Sequence, residues 1–141
     1  MILSCLTTCH IVGQSVVGKW KTYDIFDASK EESIVDIYIT DNQLFVKIDS
    51  ILPIEHLSDT CIKCKGAQKD QPILGMMILE GATFKNDVWQ GAQILNAKNG
   101  KYYSCHISLE NKDLLKVRGF VGYPIFGKTL YWTRVKNHQF R

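Results

Sequence analysis

The residues best equipped for chemistry are two cysteines three positions apart, in Cys61-Ile-Lys-Cys64. A C-x-x-C pair can form a redox-active disulfide where a helix N-terminus lowers a thiol pKa, and it can supply half of a zinc site. Neither context is present: there is no second C-x-x-C, no βαβ frame surrounds the pair, and His56, His106 and Cys105 do not fall at zinc-motif spacing. Cys61 and Cys64 are therefore expected to serve structure, as a local staple or through a Cys64 to Cys105 bridge. Thiol-disulfide exchange is the alternative, and no metal is expected. Other acid, base and nucleophile sets are weaker. His106 alternates with Tyr103, Cys105, Ile107 and Leu109 and should point outward, while Asp36 and Asp49 read as solvated carboxylates on an outer face. With no G-x-S-x-G, no H-E-x-x-H and no phosphate-cradling glycine loop, neither an enzyme nor a cofactor is expected.

The elements that must position these residues are strands. Ser33 to Thr40 and Gln43 to Asp49 alternate, with Val35, Ile37 and Ile39 on one face of the first and Leu44, Val46 and Ile48 on one face of the second; Asp41-Asn42 supplies the turn. Further runs lie at Val16 to Tyr23, Ile73 to Glu80, Val88 to Leu95, Lys101 to Leu109, Leu114 to Val121 and Thr129 to Val135, which makes eight strands at hairpin spacing. No segment sustains a 3.6 period over helical length, so an up-and-down antiparallel order is favoured. Closing eight such strands into a barrel removes the unpaired edges and leaves an interior that just holds one small ligand. One connection stands out for its length, from Asp49 to Gln71, and it carries the cysteine pair.

With 141 residues, 45% of them hydrophobic, the chain has the size of a single domain, and its apolar runs are too short for a helical membrane span. Residues 1 to 70 hold seven lysines against ten acids, and residues 71 to 141 hold ten basic side chains against four acids. The basic residues never cluster into a run, so no nucleic-acid partner is expected. Residues 1–13, apolar and without Lys or Arg, resemble the end of a secretory signal, with cleavage expected near Gly13 or Gln14. The barrel is expected over residues 14–136, followed by a polar tail at 137–141.

In a closed barrel the first and last strands are neighbours. An Arg134 guanidinium can then lie across the Trp20 indole and plug one end, with Gly18 relieving the crowding beneath it. Gly18, Trp20 and Arg134 together resemble the signature of the lipocalin and calycin group. A wider set of motifs resembles the bacterial secreted family known as domain of unknown function 2147. These are Gly18-x-Trp20, Cys61-Ile-Lys-Cys64-Lys-Gly66, Pro72-Ile-Leu-Gly75, Trp89-Gln-Gly91, Asn99-Gly-Lys-Tyr102, Leu115-Lys-Val-Arg-Gly119 and Phe126-Gly-Lys-x-x-x-Trp132-x-Arg134. The resemblance implies a calycin-like barrel, export to the periplasm or medium, and a family with no established enzymatic activity.

The function these features lead to is a monomeric, periplasmic or secreted binder of a small hydrophobic or amphipathic molecule. Its expected lining is Val35, Ile37, Ile39, Leu44, Val46, Ile48, Met76, Ile78, Tyr103, Ile107, Leu115 and Val117. The ligand's polar end is expected near Tyr38, Tyr103 or Arg118 at the rim, with alternation turning Arg118 outward. A disulfide factor, or a ligand-free interaction protein using Phe26, Tyr123 and Phe126, are the competing readings.

Overall fold

A computed structural model describes residues 16–136; the expected signal remnant at 1–13 and the tail at 137–141 lie outside the described residues. Nine strands form one antiparallel sheet: β1 (Gly18–Tyr23), β2 (Glu31–Thr40), β3 (Gln43–Ile51), β4 (Met77–Lys85), β5 (Val88–Gln90), β6 (Gln93–Asn96), β7 (Lys101–Asn111), β8 (Leu114–Phe120) and β9 (Lys128–Arg134). The short β5 and β6 are two halves of one position between β4 and β7, separated at Gly91, whose φ of 87° breaks the extended run. That makes an eight-position up-and-down barrel. It closes where β3 pairs with β4 and β1 with β9.

The expected β2–β3 hairpin forms, with Asp41 and Asn42 both at positive φ, the geometry that a two-residue turn between right-twisted strands requires. The fourth strand differs from its expected span. Ile73 to Met76 is a hydrogen-bonded turn around Gly75, at φ 84°, so the strand starts at Met77 and runs on to Lys85, where Asn86 and Asp87 make a second tight turn. Pairing with β3 slips at Ile78 and again at Gly81. The first slip puts Ile78 and Leu79 both inside, which strict alternation does not allow.

Trp20 is fully buried and sits opposite both Val35 of β2 and Arg134 of β9. The Arg134 guanidinium lies 4.3 Å from the centre of the indole ring. Its nitrogens donate to the carbonyls of Lys112 (2.7 Å) and Val17 (3.1 Å), while the indole N–H donates to Val16 (2.9 Å). A Cβ on Gly18 would come within 2.9 Å of the same guanidinium, so only glycine leaves room for it. Beyond this plug Val35, Ile37, Leu44, Val46, Ala82, Trp89, Ile107 and Leu115 fill the closed half of the barrel.

Arg134→Lys removes the flat donor fork that stacks on Trp20 and reaches two carbonyls. We expect it to lower stability by about 1–2 kcal/mol in denaturant unfolding, more than Lys116→Arg on the outer face. An unchanged unfolding midpoint would contradict the plug.

Candidate functional site

The open half of the barrel holds a cavity of about 600 Å³. Its walls come from several strands: Ile48 and Ile51 of β3, Ile78 of β4, Ile94 and Leu95 of β6, Val117 of β8, and Leu130 and Trp132 of β9. Thr22 and Ser33 add hydroxyls, joined to each other at 2.6 Å. Thr22 is the one buried polar residue among those described, and its hydrogen bond to Ser33 explains how it is tolerated there.

Several expected lining residues are placed elsewhere. Val35, Ile37, Leu44, Val46, Ile107 and Leu115 face inward as alternation requires, but they are buried in the core of the closed half and do not border the cavity. Ile39 packs against the same core, and Met76 is buried in the turn before β4. Ile48, Ile78, Tyr103 and Val117 do border the cavity. At the rim, Tyr38 stacks on Phe45 (5.4 Å between ring centres) and is not on the cavity. Arg118 turns away as expected, donating to Thr129 (2.7 Å) and to the Pro124 carbonyl (3.0 Å). Tyr103 stays on the cavity, its hydroxyl accepting from Asn99 at 2.9 Å. His106 lies edge-on to Phe120, and Asp49 pairs with Lys19 at 3.0 Å on the outside.

The long connection, residues 52–76, leaves β3 and re-enters β4 at the open end and raises one wall of the cavity with Leu52, Pro53, His56, Asp59 and Ile73. Cys61 and Cys64 are disulfide-bonded within it, and both are buried. This selects the local staple over a bridge to Cys105, which is free and buried in β7. The staple is docked on the β6–β7 turn. Cys61 Sγ lies 3.3 Å from the Ala97 carbonyl oxygen, and the Lys63 carbonyl occupies the place a Cβ on Gly100 would need. Burial pushes the Cys105 thiol up to about 12, far from the thiolate form a nucleophile requires.

Charge collects at the mouth through residues other than Arg118. Lys98, on the β6–β7 turn, reaches Asp24 (2.9 Å) and Glu32 (2.7 Å) at the β1–β2 connection. These two hairpins stand on opposite sides of the barrel, so the lysine spans the opening. The Lys98 hydrogen bond, followed by the Phe26 backbone N–H, lowers the Asp24 carboxyl to about 2. Glu32 and Asp24 in turn raise the Lys98 ammonium. A second pair, His56 Nδ1 with Asp59 at 3.2 Å, stands on the long connection. Among the described residues no group of three or more metal-ligating side chains converges. The lone Lys98 in Asn96-Ala-Lys-Asn-Gly100 carries no sequence signal for its role, because its partners are distant in the chain.

The arrangement defines a lipocalin-like barrel with one end plugged and the other open. The chain belongs to the family described as an uncharacterized protein conserved in bacteria (DUF2147), whose model matches residues 18–134. Among solved structures it is similar to the Helicobacter pylori protein HP1028, described as belonging to the lipocalin family. The TM-score is 0.75 at 15% identity, over 87% of this chain and 84% of that one. No curated protein matches.

Because the Asp24 carboxyl is lowered on folding, its stabilising effect is full above the ordinary value near 3.8 and is lost as pH falls through about 2. A carbon-detected NMR titration should give a midpoint near 2 for Asp24, moving up toward 3.8 in Lys98→Met; no movement would mean that Lys98 does not hold it. Cys105 should resist alkylation in the native protein at pH 8 and react once the chain is unfolded, with the modified position read by peptide mass mapping.

Proposed function

We propose that this protein binds a small, mainly apolar molecule in the open half of its barrel. The observation that carries the reading is the cavity of about 600 Å³, walled by Ile48, Ile78, Leu95, Val117, Leu130 and Trp132. That volume lies within the range typical of pockets that enclose a small ligand, about 300–1,000 Å³. The ligand's apolar body points toward Trp20 and its polar end toward Tyr103 and the charged mouth. A neutral or weakly polar end suits this site better than a buried carboxylate, since Arg118 is engaged outside the cavity and Lys98 is already neutralised by two acids.

Binding without catalysis is the role proposed here. The cysteine pair is buried within the long connection, out of reach of an exchanging partner thiol, which favours a staple over a redox site. A stable disulfide also suits an oxidising compartment, and with the family's distribution in bacteria it supports a periplasmic or secreted protein.

N-phenyl-1-naphthylamine should bind with micromolar affinity and a rise in fluorescence. Val117→Trp and Ile48→Trp, which fill the cavity, should abolish that rise while leaving far-ultraviolet circular dichroism unchanged. Ile37→Trp overpacks the closed half and should instead cost about 1–3 kcal/mol of stability. Probe binding unaffected by both cavity-filling variants would place the site outside the barrel.

A further inference from the structure

Two loops at the open end expose large apolar side chains that nothing else in the described chain covers. Phe26 stands on the β1–β2 connection, and Val121, Tyr123, Ile125 and Phe126 stand on the β8–β9 connection; all five are between 69% and 86% exposed. The two loops are neighbours, as the Lys128 ammonium 5.5 Å from the centre of the Phe26 ring shows. Soluble monomers seldom expose a contiguous group of this kind without using it. The presentation is built. Pro124–Phe126 form a helical turn, Gly127 donates back to Pro124 at 3.1 Å, and Arg118 holds the Pro124 carbonyl from beneath. Gly127 packs so closely on the Gly119 carbonyl that a Cβ would lie 2.4 Å from it, so the turn is pinned to the barrel with its apolar side chains outward.

We infer that this rim docks on a lipid bilayer and that the cavity is loaded from there. The inference rests on the proposed ligand-binding role. Two observations single out a bilayer. Val121 and Phe126 also border the cavity, so the exposed patch and the apolar interior are one continuous surface, and a hydrophobe can pass between them without crossing water. Charge agrees as well: the β8–β9 connection carries no acid and is flanked by Arg118 and Lys128, while of the acids around Phe26 on the other loop Asp24 and Glu32 are paired with Lys98, Glu31 with Lys21, and Asp27 turns back onto Ser29. Lys128, at the edge of the patch, has no carboxylate partner among the described residues and suits a phosphate headgroup. Phe and Ile insert shallowly, while Tyr123 and Lys128 match the polar boundary where aromatic and basic side chains settle.

The test is flotation of the full chain with vesicles of mixed phosphatidylethanolamine and phosphatidylglycerol. The wild type should float, Phe26→Ser/Ile125→Ser/Phe126→Ser should lose about tenfold or more in partitioning, and Lys128→Glu should lose partitioning on these vesicles more than on phosphatidylcholine alone. Because every altered side chain is exposed, the variants should keep the wild-type melting temperature. Failure of the wild type to float, or equal flotation of the triple variant, overturns the inference. So does a wild-type dimer in sedimentation that the triple variant abolishes without any flotation, since the patch would then serve self-association. Naphthylamine binding in buffer separates the two proposals. Its retention without flotation removes only the bilayer, whereas its absence from wild type removes the cavity ligand on which loading depends.

Discussion

The stacking of Arg134 on Trp20 is the contact on which the barrel's form depends. It joins the last strand to the first, and closure converts a sheet with two exposed edges into one with none. A guanidinium can fill this position because its planar face covers the indole while its edge donates to the carbonyls of Lys112 and Val17. Gly18 is the sequence's concession to that geometry. With one end plugged and the half of the barrel next to it filled, the free volume lies in the other half. The packed half and the cavity are therefore two consequences of a single closure.

The open end is built from the parts of the chain that are not strand. Residues 52–76 extend the wall beyond the strand ends, and the Cys61–Cys64 bond keeps this irregular stretch compact enough to dock on the β6–β7 turn. The contact between Lys63 and Gly100 is close enough that a side chain at 100 would lift the connection away. Lys98, two residues earlier on the same turn, reaches across to Asp24 and Glu32. One short turn thus anchors the wall of the cavity on one side and a charged span over its mouth on the other.

The mouth is divided chemically. The charged sector is the Lys98 span across to Asp24 and Glu32, and the apolar sector is the exposed edge of the β1–β2 and β8–β9 connections, with Phe26, Tyr123, Ile125 and Phe126 beside Lys128. Under the proposed function the charged sector faces the ligand's polar end. The apolar sector is the route by which a water-insoluble molecule would arrive. The hydroxyl pair of Thr22 and Ser33 lines the cavity, where it adds polarity without adding a charge.

Period-two alternation, the Asp41-Asn42 turn and the positions of Gly18, Trp20 and Arg134 were enough, read from the residues alone, to specify an all-β up-and-down barrel plugged by a cation on an indole. These are local patterns, or a pairing that closure makes unavoidable. Which inward residues border a cavity was not legible, because alternation reports the face of a strand and says nothing of the height along the barrel at which packing becomes complete. Val35 and Ile48 look alike in sequence and pair directly across β2 and β3, yet only Ile48 borders the cavity. The slips at Ile78 and Gly81, the choice of Cys61 over Cys105 as partner of Cys64, and the reach of Lys98 to Asp24 and Glu32 were likewise decided in three dimensions. Each depends on the distance between segments remote in the chain, and that distance does not exist until the sheet has closed.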